Sequence, residues 1–207
     1  MNTRAVDRLP RFGDRRRMRV GLLGGSFNPA HAGHRHVAAL ALRRLRLDQV
    51  WLLVSPGNPL KPRDGMAPLA VRLARARAIA DGRRVLATAM EATLGTRFTI
   101  DTLRLLLRRF PRVRFVWLMG ADILSQLPHW RRWEQMLRRI PVAVLPRPGY
   151  TRRALAGQAA RRMRHTRRRE RAAATLPGAA PGWVLLTTPQ NAVSATAIRA
   201  GAKGAVP

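Results

Sequence analysis

The feature that most constrains this fold is a series of short, continuously apolar segments that alternate with segments of helical periodicity. Strands that are apolar on both faces need cover on both sides, which is typical of parallel sheets. The pattern therefore predicts an α/β fold, a Rossmann-like doubly wound parallel sheet with right-handed crossovers. The predicted strands are residues 18–24, 50–56, 85–90, 113–120, 141–150 (a strand and its turn) and 183–188.

Helical spacing fills most of the intervals between these strands. Thr99 and Ser194 are predicted as N-caps because each stands at the start of such a segment. Pro128 is expected to divide the segment that contains it into two short helices. The predicted helices are residues 33–47, 68–80, 98–110, 121–139 and 194–202.

The length of 207 residues suits one well-buried core, so residues 18–207 are predicted to form a single domain. Residues 1–17 are basic and lack the apolar centre of a secretory signal, and we interpret them as a flexible lead-in. Residues 151–182 are predicted to form an Arg-rich insert, a helix followed by a Pro/Gly/Ala linker. The sequence contains no apolar run near the roughly 20 residues of a membrane span.

The chain carries 40 Lys and Arg residues against 10 Asp and Glu residues, a net charge of +30. One explanation is an anionic partner, either a nucleic acid or a phosphorylated small molecule. The other is a GC-rich coding bias, since Lys61 and Lys203 are the only lysines. Aromatic residues are not interleaved with basic ones, so no specific nucleic-acid binding is expected. For the arginines of residues 151–182, a solvated surface helix and an oligomer or nucleic-acid contact both stay open.

The segment GLLGGSFNPAHAGHRH, residues 21–36, contains the residues best suited to chemistry. Gly24 and Gly25 follow the first predicted strand and allow the backbone to approach a bulky anion closely. An Asn-Pro turn then leads into a helix, whose N-terminal amides favour phosphate. His31 and His34 are three residues apart, so one helical turn places both imidazoles on one face as hydrogen-bond donors. Because the loops at 24–34, 55–62 and 120–122 all follow predicted strands, they are expected to converge at one edge of the sheet.

Five motifs in order resemble a known enzyme family. GGSFNPAHAGH is similar to the (G)GxFDPxHxGH signature of nucleotidyltransferases related to class I aminoacyl-tRNA synthetases, and VSATAIR at 193–199 resembles their ISSTxIR signature. SPGNPLKP at 55–62, FTIDTL at 98–103 and MGADILSQLPHWRRW at 119–133 resemble nicotinate-nucleotide adenylyltransferases in particular. The resemblance extends over residues 18–200.

The resemblance implies adenylyl transfer from ATP to nicotinate mononucleotide, which gives deamido-NAD and pyrophosphate in cytoplasmic NAD biosynthesis. The attacking phosphate is already ionised at neutral pH, so catalysis requires positioning and charge stabilisation rather than a general base. Mg²⁺ is expected to accompany ATP, held largely by phosphates and water, because the sequence offers no dedicated carboxylate cage. The oligomeric state stays open. The alternatives are a related nucleotidyltransferase of the phosphopantetheine type and, from a different class, an RNA-binding protein.

The same resemblance assigns roles to residues at the matching positions. His31 and His34 are expected to bind the ATP phosphates and to stabilise the transition state, with Lys61 and Arg199 as further catalytic cations. A solvated loop lysine is the alternative for Lys61. The expected ATP-binding residues are Gly24, Gly25, Ser26, Phe27, His34, Ser194, Thr196 and Arg199.

The nicotinate mononucleotide is expected to lie against the middle motifs. Trp130 is implied to stack on the pyridine ring, and the backbone amide of Thr99 to recognise its carboxylate. Asp122 is expected to accept a ribose hydroxyl, the alternative being a helix N-cap. The full set comprises Asn58, Lys61, Thr99, Gly120, Asp122 and Trp130.

Three positions depart from the family pattern. Ala195 stands where the second signature has a serine, so one hydroxyl is lost. Asn28 replaces an aspartate, which keeps the turn-forming capacity and removes a charge. Arg35 replaces an apolar residue, and His36 is assigned to the surface of the helix.

Overall fold

The computed structural model describes residues 17–57 and 64–187. Its centre is a six-stranded sheet of order β3-β2-β1-β4-β5-β6, in which every neighbouring pair is parallel. This arrangement confirms the predicted α/β doubly wound fold. The strands are β1 Arg19–Gly25, β2 Gln49–Val54, β3 Val85–Thr88, β4 Arg114–Gly120, β5 Val142–Leu145 and β6 Trp183–Leu185.

The helices cover both faces of this sheet. Pro128 lies in a 3₁₀ turn, Leu127–His129, and divides the predicted 121–139 segment as expected. The prediction of Thr99 as an N-cap is wrong, because Phe98 has the extended N-cap backbone and Thr99 is the first helical residue. The helices are α1 Ala32–Arg44, α2 Leu69–Ile79, α3 Met90–Thr93, α4 Thr99–Arg109, α5 Ala121–Gln126, α6 Trp133–Arg139, α7 Thr151–Leu155 and α8 Gln158–Arg162.

Successive strand residues are buried on opposite faces of the sheet. Leu22 belongs to the apolar cluster beneath α4 and α6, whereas the adjacent Leu23 belongs to the cluster beneath α1 and α2. In the first cluster, the Trp51 ring meets those of Phe110 and Phe115 edge-on at centroid distances of 5.6 Å. Burial on both faces explains why the strands read as continuous apolar runs rather than as alternating patterns.

The chain order reverses beside β1, which lies between β2 and β4. At such a switch point the connections after the two central strands leave on opposite faces and open a crevice at the carboxyl edge. Leu23 of β1 is in register with Leu118 of β4, so both strands end at the same height. The described parts of the loops predicted to converge, 24–34, 55–57 and 120–122, meet at this edge.

The Arg-rich insert is packed differently from the prediction of one helix and a linker. Gly157 is extended and separates α7 from α8, and 3₁₀ turns follow at Arg164–Thr166 and Glu170–Thr175. Its small apolar side chains are buried, and α7 and α8 contact α5. The Trp183 indole donates a 2.9 Å hydrogen bond to the Met163 carbonyl. The insert is therefore part of the domain core, with its arginines on the outer side.

None of the helices within residues 17–57 and 64–187 has the length and apolar character that crossing a bilayer requires.

Candidate active site

A cavity of about 670 Å³ opens at the carboxyl edge of the sheet, beside the switch point. Its volume lies in the range of small-molecule sites. The loops after β1, β2, β4 and β5 and the start of α4 contribute to its walls. The predicted site residues that line it are Gly24, Gly25, Ser26, Phe27, His31, His34, Thr99, Gly120, Asp122 and Trp130.

The two signature histidines form a reciprocal cap at the start of α1. His31 is the N-cap residue, and its Nδ1 accepts a hydrogen bond from the Gly33 amide at 3.1 Å. His34 Nδ1 accepts one from the His31 amide at 3.2 Å. The two ring centroids are only 3.9 Å apart. Because both Nδ1 atoms are acceptors, each neutral ring carries its proton on Nε2, which leaves one N–H donor per ring.

Both imidazoles are held in the neutral form. Burial, and to a smaller extent the charge of Arg147, lowers the pKa of His31. The pKa of His34 is lowered to about 3. Burial is the largest cause, and His31 and Arg147 lower it further. The pair therefore offers two hydrogen-bond donors at neutral pH and no positive charge. The predicted placement of both rings on one face is confirmed, since they line the cavity together.

Phe27, in the loop before α1, packs its side chain against the His34 ring. Its backbone has φ of 49°, a left-handed conformation that is unusual for a bulky residue and carries strain. Its side chain is only 2% exposed, and its ring centroid lies 4.7 Å from that of His34. The strained turn thus places an aromatic ring behind the His34 imidazole.

The two glycines at the end of β1 differ in what they permit. A Cβ on Gly24 would lie 2.8 Å from Cη2 of Trp117, so only glycine accommodates that indole. A Cβ on Gly25 would lie at an ordinary 3.4 Å from the Phe27 ring. Gly24 therefore has a packing requirement that the sequence pattern did not indicate. The predicted role of both residues toward an anion stays a prediction.

Arg72 on α2 is a buried residue that the sequence analysis missed. It is 1% exposed, and burial lowers the pKa of its guanidinium group. Its guanidinium donates to the carbonyls of Ser26 at 2.8 Å and Ser55 at 2.7 Å. It also donates to the carbonyls of Pro56 at 3.3 Å and Ala67 at 2.8 Å. One side chain therefore joins the loops that follow β1 and β2 to the segment before α2.

Asn28 makes a second connection between these loops. Its Nδ2 donates to the Gly65 carbonyl at 2.9 Å, and its Oδ1 accepts from the Ala67 amide at 3.4 Å. An aspartate could accept the second bond but could not donate the first. Asn28, where the family motif has an aspartate, therefore makes one hydrogen bond to Gly65 that an aspartate could not make.

Asp122 and Arg147 face each other across the cavity wall. Arg147 Nε lies 3.6 Å from Asp122 Oδ1, an oxygen that is buried and makes no hydrogen bond. Asp122 is not the N-cap of α5, because that position is Gly120, so the N-cap alternative is wrong. A Cβ on Gly120 would collide with Asp122 Oδ1, which explains the glycine. Asp122 lines the cavity, but its Oδ1 is turned toward Arg147, and the predicted role of this carboxylate toward a ribose hydroxyl stays a prediction.

Arg147 is a cavity residue that the sequence analysis missed. It lies after β5, where its amide donates to Thr151 Oγ1 at 2.9 Å and that hydroxyl donates to the Arg147 carbonyl at 3.0 Å. These bonds hold the loop so that the guanidinium reaches the cavity. The available signal was an arginine in the Pro-Arg-Pro-Gly turn at the end of the predicted segment 141–150.

Two tryptophans, Trp117 and Trp130, line a part of the cavity that we call the aromatic end. The Trp130 and Trp117 rings meet edge-on at a centroid distance of 6.1 Å, and Trp130 is half-buried. Thr99 begins α4 at the same end. The first amide of α4 to donate to the Phe98 carbonyl is that of Asp101. The Thr99 amide lies before it, among the first amides of the helix, which have no acceptor within the helix. A flat ring beside Trp130 would therefore have a helix N-terminus at its edge.

Glu91 on α3 is a further lining residue without a sequence signal. Burial raises the pKa of its carboxyl group, although hydrogen bonds from Thr102 and Ser55 oppose that shift. The Thr102 hydroxyl donates to Glu91 Oε1 at 3.2 Å. This carboxyl group therefore carries less negative charge than an exposed glutamate would at mildly acidic pH.

Five predicted site residues and two predicted segments lie outside the described residues. The segments are the lead-in, apart from its last residue, and the helix at 194–202. The site residues are Asn58, Lys61, Ser194, Thr196 and Arg199. Within residues 17–57 and 64–187, no group of three His, Cys, Asp or Glu side chains could hold a metal ion.

Comparison with known proteins places this geometry in a family. The cytidylyltransferase-like family model matches residues 22–201. A relative from Gluconobacter oxydans, described as a "probable nicotinate-nucleotide adenylyltransferase", is 61% identical over 88% of this chain and 94% of its own. Relatives of the same description from Gluconacetobacter diazotrophicus and Methylorubrum extorquens are 56% and 52% identical, over 92% and 88% of this chain and 89% and 99% of their own.

Solved structures agree on the fold. The Plasmodium falciparum nicotinic acid mononucleotide adenylyltransferase complexed with NaAD matches with a TM-score of 0.67. The match covers 88% of this chain and 83% of that one at 14% identity. The extent of the family match and the level of identity to the bacterial relatives place this chain in the nicotinate-nucleotide adenylyltransferase family.

Proposed function

We propose that this protein transfers the adenylyl group of ATP to nicotinate mononucleotide, releasing pyrophosphate and deamido-NAD. The observation that carries the proposal is that one cavity brings together two neutral imidazole donors, the Arg147 guanidinium and the Trp130 indole. Such a cavity can hold two nucleotides end to end, with their phosphates between the donors and the cation.

The chemistry is an in-line displacement. A phosphate oxygen of the mononucleotide forms a bond to the α-phosphorus of ATP, while the bond from that phosphorus to the bridging oxygen breaks. Pyrophosphate leaves with the bonding electron pair, and no proton has to be removed from the nucleophile. The protein therefore contributes orientation and charge stabilisation.

The two Nε2–H groups are suited to the non-bridging oxygens of the α-phosphate. Their Nδ1 atoms are fixed by backbone amides, so the donors are oriented before the substrate arrives. The Arg147 guanidinium supplies positive charge beside them without competing for the same hydrogen bonds. Lys61 and Arg199 are further cations in this proposal, by resemblance to the family motifs.

The remaining assignments follow the family motifs. Ser26 and the amides of the first loop take the ATP phosphates together with Ser194 and Thr196, and Asp122 accepts a ribose hydroxyl. Trp130 stacks on the pyridine ring. Mg²⁺ belongs to the substrate as the ATP complex, where it offsets triphosphate charge, and it needs no protein carboxylate cage. A cytoplasmic location is proposed because ATP and the pyridine nucleotides are available there.

The test is pyrophosphate release from ATP with nicotinate mononucleotide as acceptor, with deamido-NAD identified by mass spectrometry. Parallel reactions contain nicotinamide mononucleotide or 4′-phosphopantetheine. Release that depends on nicotinate mononucleotide and yields deamido-NAD supports the proposal. Faster turnover of phosphopantetheine would assign the protein to the other acceptor class.

A further inference from the structure

Two arginines stand at the aromatic end of the cavity, where the Thr99 amide begins α4. Cζ of Arg131 lies 4.7 Å from the centroid of the Phe98 ring, and Cζ of Arg97 lies 5.8 Å from it. Both arginines line the cavity, and Phe98 immediately precedes Thr99. A guanidinium group over an aromatic face is held by cation–π attraction, which keeps its charge near that end of the site.

The acidic groups near these arginines only partly offset their charge. Arg131 Nη1 lies 3.9 Å from Asp101 Oδ2, and Arg104 Nη1 lies 3.3 Å from Asp101 Oδ1. One carboxylate is thus shared by two guanidinium groups. The cavity carboxyl groups elsewhere are Glu91, whose pKa burial raises, and Asp122, which is beside Arg147. The aromatic end therefore keeps a net positive charge.

The acid and amide forms of the mononucleotide differ in one charge at the ring substituent. A hydrogen bond from the Thr99 amide can be accepted by either form, since both have a carbonyl oxygen. Only the carboxylate gains from a positive potential. We infer that Arg131, assisted by Arg97, is a specificity-determining residue that selects the nicotinate form over the nicotinamide form by charge. This inference rests on the proposed function.

The effect is expected to be moderate because Arg131 is about half exposed, with 49% of its side-chain surface accessible. Solvent screening reduces the interaction of such a charge with a ligand. Arg131→Gln is expected to lower the ratio of kcat/KM for nicotinate mononucleotide over nicotinamide mononucleotide about 3- to 5-fold. The change should come from a higher KM for the nicotinate form, with kcat nearly unchanged.

Arg104→Gln is the matched control. Arg104 contacts the same carboxylate at a shorter distance, yet it is not among the residues that line the cavity. Its loss should leave the selectivity ratio within about 2-fold. Arg131→Lys keeps the charge and loses the planar guanidinium, so it should retain more of the selectivity than Arg131→Gln. Arg97→Gln provides a second variant at the same end.

The two proposals fail in different ways. If the wild-type protein forms no dinucleotide from either acceptor, the proposed function falls and this inference falls with it. If wild-type activity is present but Arg131→Gln weakens both acceptors equally, or Arg104→Gln changes the ratio as much, the charge-selection role is wrong. In the expected case, raising the salt concentration to about 0.5 M moves the wild-type ratio toward that of Arg131→Gln.

Discussion

The structural role of His31 and its proposed catalytic role can be separated by substitution. Its Nδ1 caps α1 by accepting from the Gly33 amide, whereas its Nε2–H is the donor proposed for ATP. Asparagine is among the best N-cap residues and can accept the same amide bond, but it cannot place a donor where Nε2 lies. His31→Asn should therefore keep the helix cap and lose the catalytic contact.

The same logic applies to His34, the third helical residue. Glutamine at that position is the usual partner in a capping box, so His34→Gln can accept from the His31 amide. Loss of one preorganised donor to a transition state costs about 100- to 1,000-fold in kcat. Loss of a cap costs about 1 kcal/mol, which corresponds to roughly 2–4 °C in Tm for a chain of this size.

Steady-state kinetics and thermal unfolding together test the separation. His31→Asn and His34→Gln should lose about 100-fold or more in kcat while Tm stays within about 2 °C of the wild type. His31→Ala should lose a similar factor in kcat and also the cap contribution to Tm. Near-normal kcat in His31→Asn and His34→Gln would refute the donor role. A large fall in Tm without loss of kcat would make the pair purely structural.

Four further outcomes are expected. Trp130→Ala should raise KM for nicotinate mononucleotide about 10-fold or more and change KM for ATP less than 2-fold; equal losses would make the indole structural. Gly24→Ala should destabilise the fold by about 1–3 kcal/mol in urea unfolding because it forces an indole to shift, whereas Gly25→Ala should cost under about 1 kcal/mol. Arg72→Lys should cost about 3 kcal/mol, since an ammonium group cannot bridge four carbonyls, and unchanged stability would remove the bridging role. The depressed pKa of His34 means that the unfolded chain binds its proton below pH 6.5 and the folded chain does not until about pH 3. Stability should therefore fall from pH 6.5 to pH 5 by about 1.5 kcal/mol more in the wild type than in His34→Gln.

The sheet was predictable because each buried strand is a local run of apolar residues. The signature loop was predictable for a similar reason, since its turn, helix start and paired imidazoles all lie within a few residues. The boundary at Thr99 was wrong by one position because the N-cap conformation belongs to Phe98, which has no side chain able to cap. The Arg-rich insert was predicted as one helix because its composition favours a helix, although Gly157 interrupts it.

Arg72 and Arg147 were missed because their roles depend on distant partners. Arg72 contacts Ser26, which lies 46 positions earlier. In the sequence it is one of three arginines in the predicted helix 68–80, and nothing local distinguishes it from the other two. Its buried position is visible only once α2 is packed against the sheet. Arg147 was more accessible to inference, because a polar loop residue after a parallel strand falls at the ligand edge.

In this cavity, burial acts on groups whose intrinsic pKa values differ, and the two effects together decide which side chains are charged. Histidines proposed to bind phosphate would ordinarily be expected to be cations. Burial lowers the pKa of both rings, so they are neutral hydrogen-bond donors at neutral pH. A guanidinium group stays charged under the same conditions because its intrinsic pKa is far higher. Under the proposed function, the positive charge that the protein adds to that of the ATP-bound Mg²⁺ is expected from arginines or Lys61. Arg147 is the described cation whose charge acts on both imidazoles, and it lines the same cavity.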